Sequence, residues 1–272
     1  MAESEVVLYL FCFARPEEAR QVAGSGVDER SPVRIFRHSA EVCAVIAEVA
    51  REDFCGPEAD RRMEQLSWVG PRALRHEAVI EEVMEHSPVL PARLGTLFSS
   101  LPALTQFMDA HREVIAEFLG RVAGHREWSV QGRFDRVRAQ QVRAAERLAA
   151  EQRHLSGLPE GMRYFTEKRI RQQAEQELGG WLERTQRQVA HNLAQHAADF
   201  RECAPRAREC SDNQAEEVLN WAFLLHESKA ASFLQEVDRA NLEHAVEGLQ
   251  FERSGPWPPF RFVPALAGAE AP

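Results

Sequence analysis

Hydrophobic residues fall into two alternating rhythms along this 272-residue chain. Residues 6–13 (VVLYLFCF) are an unbroken apolar run rich in β-branched and aromatic side chains, which predicts a buried strand. Gly24-Ser25-Gly26 marks a loop. Residues 33–37 and 42–49 read as two further strands, the second also compatible with a helix. Gly56-Pro57 breaks the chain. From 58 to 86 the spacing turns helical, with Trp68, Leu74, Val79, Val83 and Met84 near one face. Gly70-Pro71 is expected to divide this stretch into two helices, and Ser87-Pro88 to end it.

Strand 89–98 comes next, then an amphipathic helix over 101–119 with Leu104, Phe107, Met108, Ile115, Phe118 and Leu119. Strand 127–134 follows. Residues 136–200 are helical in pattern and are interrupted by Gly157-Leu158-Pro159-Glu160-Gly161, a strong breaker. The second half repeats apolar or small residues at Ile170, Ala174, Leu178, Trp181, Leu182, Thr185, Val189, Leu193 and Phe200. The first half does so at Val137, Val142, Ala145 and Leu148. Two narrow stripes joined by a tight turn predict a long antiparallel helical hairpin. Gly179-Gly180 is its weak point, costing about 1 kcal/mol per glycine relative to alanine. Residues 203–210 are expected as a loop. Strand 218–225, helix 229–245 and strand 249–253 close the chain, and the small polar residues after Pro264 read as a disordered tail.

These elements predict an α+β protein. A small N-terminal α+β domain spans 1–87. A modified ferredoxin-like (βαβ-βαβ) domain spans 88–264 and carries the hairpin as an insert at about 136–200. The tail covers 265–272.

Composition narrows the function classes. Net charge is −9 with a pI near 5.6, which argues against a general nucleic-acid binder and against docking on anionic lipid. No apolar run reaches the ~18 residues of a membrane span. The start, Met1-Ala2-Glu3-Ser4-Glu5, is acidic where a secretory signal is basic, so the expected location is the cytoplasm. Five cysteines (Cys12, Cys43, Cys55, Cys203, Cys210) form no CxxC pair and read as reduced thiols. Lys168 and Lys229 are the only two lysines among 33 basic residues, a hint of a GC-rich coding genome.

Candidate chemistry is sparse. His76-Glu77 lacks the second histidine that a zinc-protease helix places four residues on, and His191 and His196 point to different helix faces. Gly24-Ser25-Gly26 lacks the lysine of a P-loop and the third glycine of a dinucleotide fingerprint. No GxSxG elbow occurs. Cys12 follows an apolar strand and reads as core. Glu81-Glu82 and Glu216-Glu217 read as solvated faces. No strand has the aromatic-basic pattern of an RNA-binding ferredoxin-like module. The residues present predict no catalytic group, no metal and no cofactor.

Pro88-Val89-Leu90-Pro91-Ala92-Arg93-Leu94-Gly95-Thr96-Leu97-Phe98 is unusual for a strand. It has two prolines without ladder donors, one arginine, and a glycine that permits close backbone approach. It resembles the "PVLP-x-R-[FL]-GT-x-F" motif of the gas vesicle protein F/L family (GvpF/GvpL), where a His-containing helix precedes it. Glu127-Trp128-Ser129-Val130-Gln131-Gly132 is similar to the family's "EWGVKV" strand, and Leu219-Asn220-Trp221-Ala222-Phe223-Leu224-Leu225 to its "LNxAYLV" strand. Ser254-Gly255-Pro256-Trp257-Pro258-Pro259-Phe260-Arg261-Phe262 resembles its "TGPWPPYSF" end, with Ser254 for Thr, Phe260 for Tyr and Arg261 for Ser. The four motifs stand in family order over about 70–262; the first 60 residues match only loosely.

The resemblance implies a non-enzymatic gas vesicle accessory or minor structural protein. It would bind the hydrophobic major shell protein (GvpA-like) and other gas vesicle proteins while the shell forms. It also points to Pro88, Leu90, Pro91, Arg93, Gly95, Thr96, Trp128, Asn220, Gly255, Pro256, Trp257 and Pro258 as domain-junction or partner contacts. Arg93 reads either as a strand-edge arginine with its head in solvent or in a structural ion pair to a carboxylate, or as an anchor between the two domains or toward a partner. Trp257 reads either as a lid pinning the C-terminal segment or as an exposed hot spot. The alternative is a small-molecule enzyme of haem or oxygenase type on the same scaffold, for which His111 and His244 are the histidines available on sheet-packing helices.

Overall fold

The structure, a computed structural model, describes residues 6–19, 24–205 and 215–266. The chain divides into two compact units: residues 1–127 with 256–272, and residues 128–255.

The first unit is built on β1 (Val6–Ala14). Its apolar run is central: β3 (Cys43–Ala50) pairs antiparallel on one side, and β4 (Val89–Pro91) and β5 (Leu97–Phe98) on the other. β2 (Arg34–Arg37) extends the sheet beyond β3, giving the order β2-β3-β1-β4. With neighbours on both sides and helices above and below, β1 has no solvent face, so its sequence does not alternate. Tyr9 and Phe11 meet His76 of α3 (Leu66–Met84) at ring distances of 5.6 and 5.7 Å. The register slips between Leu10 and Cys12. Such a bulge reverses the alternation, and Phe13 accordingly stacks on Phe107 of α4 (Leu101–Arg121) at 6.1 Å. Ser100 caps α4 by accepting from the Ala103 amide.

Three expectations change here. After the short α1 (Arg51–Phe54), the helical stretch divides between α2 (Pro57–Met63) and α3, while Gly70 and Pro71 lie inside α3. Pro71 deprives the Ser67 carbonyl of its partner, but both residues are exposed and water can serve it. Arg72 donates to the Trp68 carbonyl at 3.1 Å in the same turn and stacks on its ring at 3.9 Å. Leu74, placed on the core face by spacing, is 70% exposed. The PVLP strand and the helix after it belong to this first unit, so the boundary expected at 87/88 falls at 127/128. The reason is non-local: β4 and β5 complete the open side of β1, about 80 residues earlier in the chain.

The second unit contains β6 (His125–Phe134), entered at Trp128, and the hairpin of α5 (Arg136–Ala150), α6 (Gln152–Ser156) and α7 (Glu160–Ala194). It continues with β7 (Asp199–Cys203), β8 (Glu216–His226), α8 (Ala230–His244) and β9 (Leu249–Trp257) up to Gly255. Its sheet order is β7-β8-β6-β9. The elements run β-α-β-β-α-β, the order of the split-βαβ motif, but the members differ from those expected. The hairpin is itself the first crossover, and β7 was hidden in what the periodicity reads as helix. Phe200 sits seven residues after Leu193 and so continues the helical stripe, yet it lies in β7 opposite Phe223. α7 runs unbroken through Gly179-Gly180. Leu178 and Val189 on either side are buried, with Trp181 and Leu182 packed against the same core, and that burial outweighs the glycine cost. Leu219, Trp221, Phe223 and Leu225 of β8, Phe233 and Val237 of α8, and Leu249 and Phe251 of β9 complete the core.

Candidate functional site

The broken edge strand of the first unit is a chain of polar contacts set in a hydrophobic wall. Pro88, Leu90 and Pro91 are buried. Pro91 lies opposite Cys12 on the strand that ends the sheet path, where its missing N–H interrupts no further ladder. Between β4 and β5 the chain loops out. Ala92 N–H donates to the Phe11 carbonyl and Leu10 N–H to the Thr96 carbonyl, both at 2.9 Å, closing the loop at its base. Thr96 donates to the Arg93 carbonyl from its amide (3.1 Å) and its hydroxyl (2.7 Å). Gly95 has φ +83°, which explains a glycine there.

Three buried groups lock this loop. Gly95 N–H donates to Tyr9 Oη (3.3 Å), Tyr9 Oη lies 2.9 Å from His76 Nδ1, and His76 Nε2 lies 3.1 Å from the Ala92 carbonyl. A carbonyl only accepts, so Nε2 carries the proton, Nδ1 accepts from the tyrosine, and the imidazole is neutral. Burial lowers the His76 pKa from 6.5 to about 4 and raises that of Tyr9. His76, which lacks the second histidine of a zinc-protease helix, is a core residue, 3% exposed. Its spacing to Val79, Ile80 and Val83 was the available signal. Arg93, at the loop tip, is exposed.

The C-terminal segment of the same unit is held by Glu127. This carboxylate is 2% exposed. It accepts from the Arg261 amide (2.9 Å) and from Arg261 Nη1 (2.8 Å). Arg121 donates to the Phe262 carbonyl at 3.0 Å, and Phe262 is fully buried. Gly255 has φ +137°, outside the range most side chains tolerate. Pro256 is exposed, Trp257 is 36% exposed, and Pro258 is buried. Glu127 and Arg261, which the motif alone did not single out, join this segment to a buried carboxylate by two hydrogen bonds.

In the second unit, Trp128 packs half-buried against the core. Asn220 is 4% exposed, and its Oδ1 has no hydrogen-bond partner among the described residues. It lines an open groove of about 400 Å³ with Gln186, Arg187, Cys203 and Trp221. The motif residues thus separate into the loop lock, the C-terminal clamp and this sheet position.

The hairpin departs most from a plain globular surface. Arg143 stacks on Trp181 at 4.1 Å and pairs with Glu247 at 2.9 Å, and Arg147 pairs with Glu177. Beyond these contacts Leu155, Ile170 and Ala174 continue the buried stripe, while Met162, Tyr164 and Phe165 are exposed. A groove of about 440 Å³ runs between Gln141, Ala144 and Leu148 of α5 and Lys168, Arg171 and Gln172 of α7.

Among the described residues no group of three or more His, Cys, Asp or Glu side chains could hold a metal ion. His111 packs on Phe107 at 4.5 Å, and His244 bonds Glu247 at 3.3 Å and faces Trp181. Cys12, Cys43, Cys55 and Cys203 are free thiols; Cys210 lies outside the described residues, as does most of the tail from 267 onward. No helix among the described residues is long and apolar enough to cross a membrane.

A family model described as "Gas vesicle synthesis protein GvpL/GvpF" matches residues 7–264. The chain is 26% identical over 257 residues to gas vesicle protein L of Streptomyces sp. (strain CB03234), covering 94% of this chain and 92% of the relative. Its fold is similar to the crystal structure of GvpF from Anabaena sp. PCC7120, with a TM-score of 0.67, 18% identity, and coverage of 96% of this chain and 97% of that one. It is also similar to GvpF from Microcystis aeruginosa, with a TM-score of 0.63, 18% identity, and coverage of 95% and 99%.

Proposed function

Because the chain belongs to the gas vesicle synthesis protein GvpL/GvpF family, we propose that it acts without catalysis, as an accessory or minor structural protein of the shell. In this reading it binds the hydrophobic major shell protein (GvpA-like) and other gas vesicle proteins in the cytoplasm while the shell forms. A subunit with an apolar face aggregates unless another protein covers that face. A helical arm with an open interhelical groove can do so by helix-in-groove contact.

The observation that carries the reading is the hairpin. Its proximal half belongs to the core of its unit through Leu178, Val189 and Leu193. Its distal half projects beyond the Arg147–Glu177 pair and buries only one stripe. The test is to replace residues 149–174 by a short Gly/Ser linker, which leaves the core residues in place. The shortened chain is expected to fold and to lose co-purification with the shell protein. A shortened, folded chain that still co-purifies at the full-length level sinks the hairpin as the contact.

A further inference from the structure

The distal end of the hairpin combines two features. The first is apolar exposure. Met162, Tyr164 and Phe165 are 60%, 62% and 71% exposed, within four consecutive residues of the first turns of α7. The two rings contact each other edge-on at 5.6 Å. None serves the fold: Leu155, Ile170 and Ala174 close the hairpin on the other side. Phe165 lies nine residues before Ala174, about two and a half turns, which places it on the opposite face of the helix. Met162, Phe165 and Arg169 form one outward row at i, i+3, i+7, and Tyr164 and Lys168 an adjacent one at i, i+4. Aromatic side chains grouped in solvent and flanked by cations are the composition of a binding hot spot.

The second feature is charge. Residues 136–194 hold eleven Arg and Lys against seven Glu, a net +4, in a chain whose total is −9, so the remainder carries −13. At the tip, Glu167 is shared by Arg163 (4.0 Å) and Arg171 (3.9 Å). Lys168 and Arg169 are exposed.

We propose that this tip is the docking surface for the shell protein, and that the surface it recognises is an apolar patch rimmed by acidic side chains. The proposal rests on the reading of the preceding subsection and names the contact within it. The aromatic pair and Met162 enter the patch, and the cations beside them meet its acidic rim. A membrane fits less well. An anionic bilayer is a wide polyanion that repels the −13 of the rest of the chain, whereas a local acidic rim on a protein meets only the tip.

The experiment uses the full chain and the purified major shell protein kept soluble as a carrier fusion. Binding is measured at low and high salt for the unaltered chain, for Tyr164→Ser with Phe165→Ser, and for Lys168→Glu with Arg169→Glu. Phosphatidylglycerol vesicles form a parallel arm. All four positions are exposed, so unchanged urea midpoints serve as the folding control. The aromatic pair is expected to weaken binding by about 30-fold or more. The charge pair should weaken it by about tenfold at low salt and much less at high salt. If the unaltered chain binds and both variants bind equally well, the tip is not the contact, while the shell-binding reading survives. If the unaltered chain does not bind the shell protein at all, that reading falls and takes the tip with it. Capture by the vesicles that the tip variants abolish would make the tip a lipid contact and overturn the proposal.

Discussion

Acidification probes the Tyr9–His76–Ala92 lock directly. In the folded protein His76 has a pKa of about 4, against an ordinary 6.5, because it is buried. The unfolded chain therefore binds the proton more readily than the folded one. Stability from this group is complete above about pH 6.5 and is lost as the pH falls toward about 4. At about 1.4 kcal/mol per pH unit the ceiling is about 3 kcal/mol, of which about 2 kcal/mol is lost by pH 5. Protonation also turns Nδ1 into a donor facing the hydroxyl of Tyr9, which removes the acceptor that hydroxyl uses. The assay is urea unfolding between about pH 7.5 and pH 5. For a slope near 3 kcal/mol/M, the midpoint should fall by about 0.7 M from this residue alone. Because the other nine histidines contribute to both proteins, the difference between the unaltered chain and His76→Leu isolates it. The variant should be less stable at neutral pH, since it takes the acceptor from the buried Tyr9 hydroxyl and the imidazole donor from the Ala92 carbonyl, yet show a flatter pH profile. Parallel profiles for the two proteins would refute the neutral, buried relay.

The other fold predictions concern single contacts. Glu127→Ala removes both acceptors of Arg261 and should cost about 3 kcal/mol. That is the low end for breaking a buried pair, because the Arg261 side chain keeps 30% exposure. Urea midpoints measure it, and adding Arg261→Ser should cost less than additively. Gly248→Ala combines φ +86° with a Cβ placed 2.6 Å from the Asp135 carbonyl oxygen. It should lower the melting temperature by about 5 °C or more, for a cost of about 2 kcal/mol.

Much of the local structure was legible in the residues because its causes are local. The apolar run of β1, the stripe of α4 and the breaker between α6 and α7 each act within a few residues. The misreadings occurred where a distant partner decided. Phe200 fits a helical stripe until β8 pairs with it. Gly179-Gly180 reads as a weak point until burial on both sides keeps α7 unbroken. Pro71 reads as a stop, yet its exposed position makes the lost hydrogen bond cheap. His76 carried no metal spacing, and its role depends on Tyr9 and Ala92, residues that sequence distance keeps apart.

Taken by itself, the sequence determined the α+β class, most helices and strands, the hairpin, and, through four ordered motifs, the family later shown by the family match. Those properties follow from periodicity, breakers and side-chain type, which each segment carries within itself. The tertiary structure decided which sheet the PVLP strand completes, where the units divide, and that Glu127 holds Arg261. It also decided that Met162, Tyr164 and Phe165 stay in water while Ile170 and Ala174 do not. Sheet membership, ion pairing and burial are each properties of two segments, and folding alone brings them together.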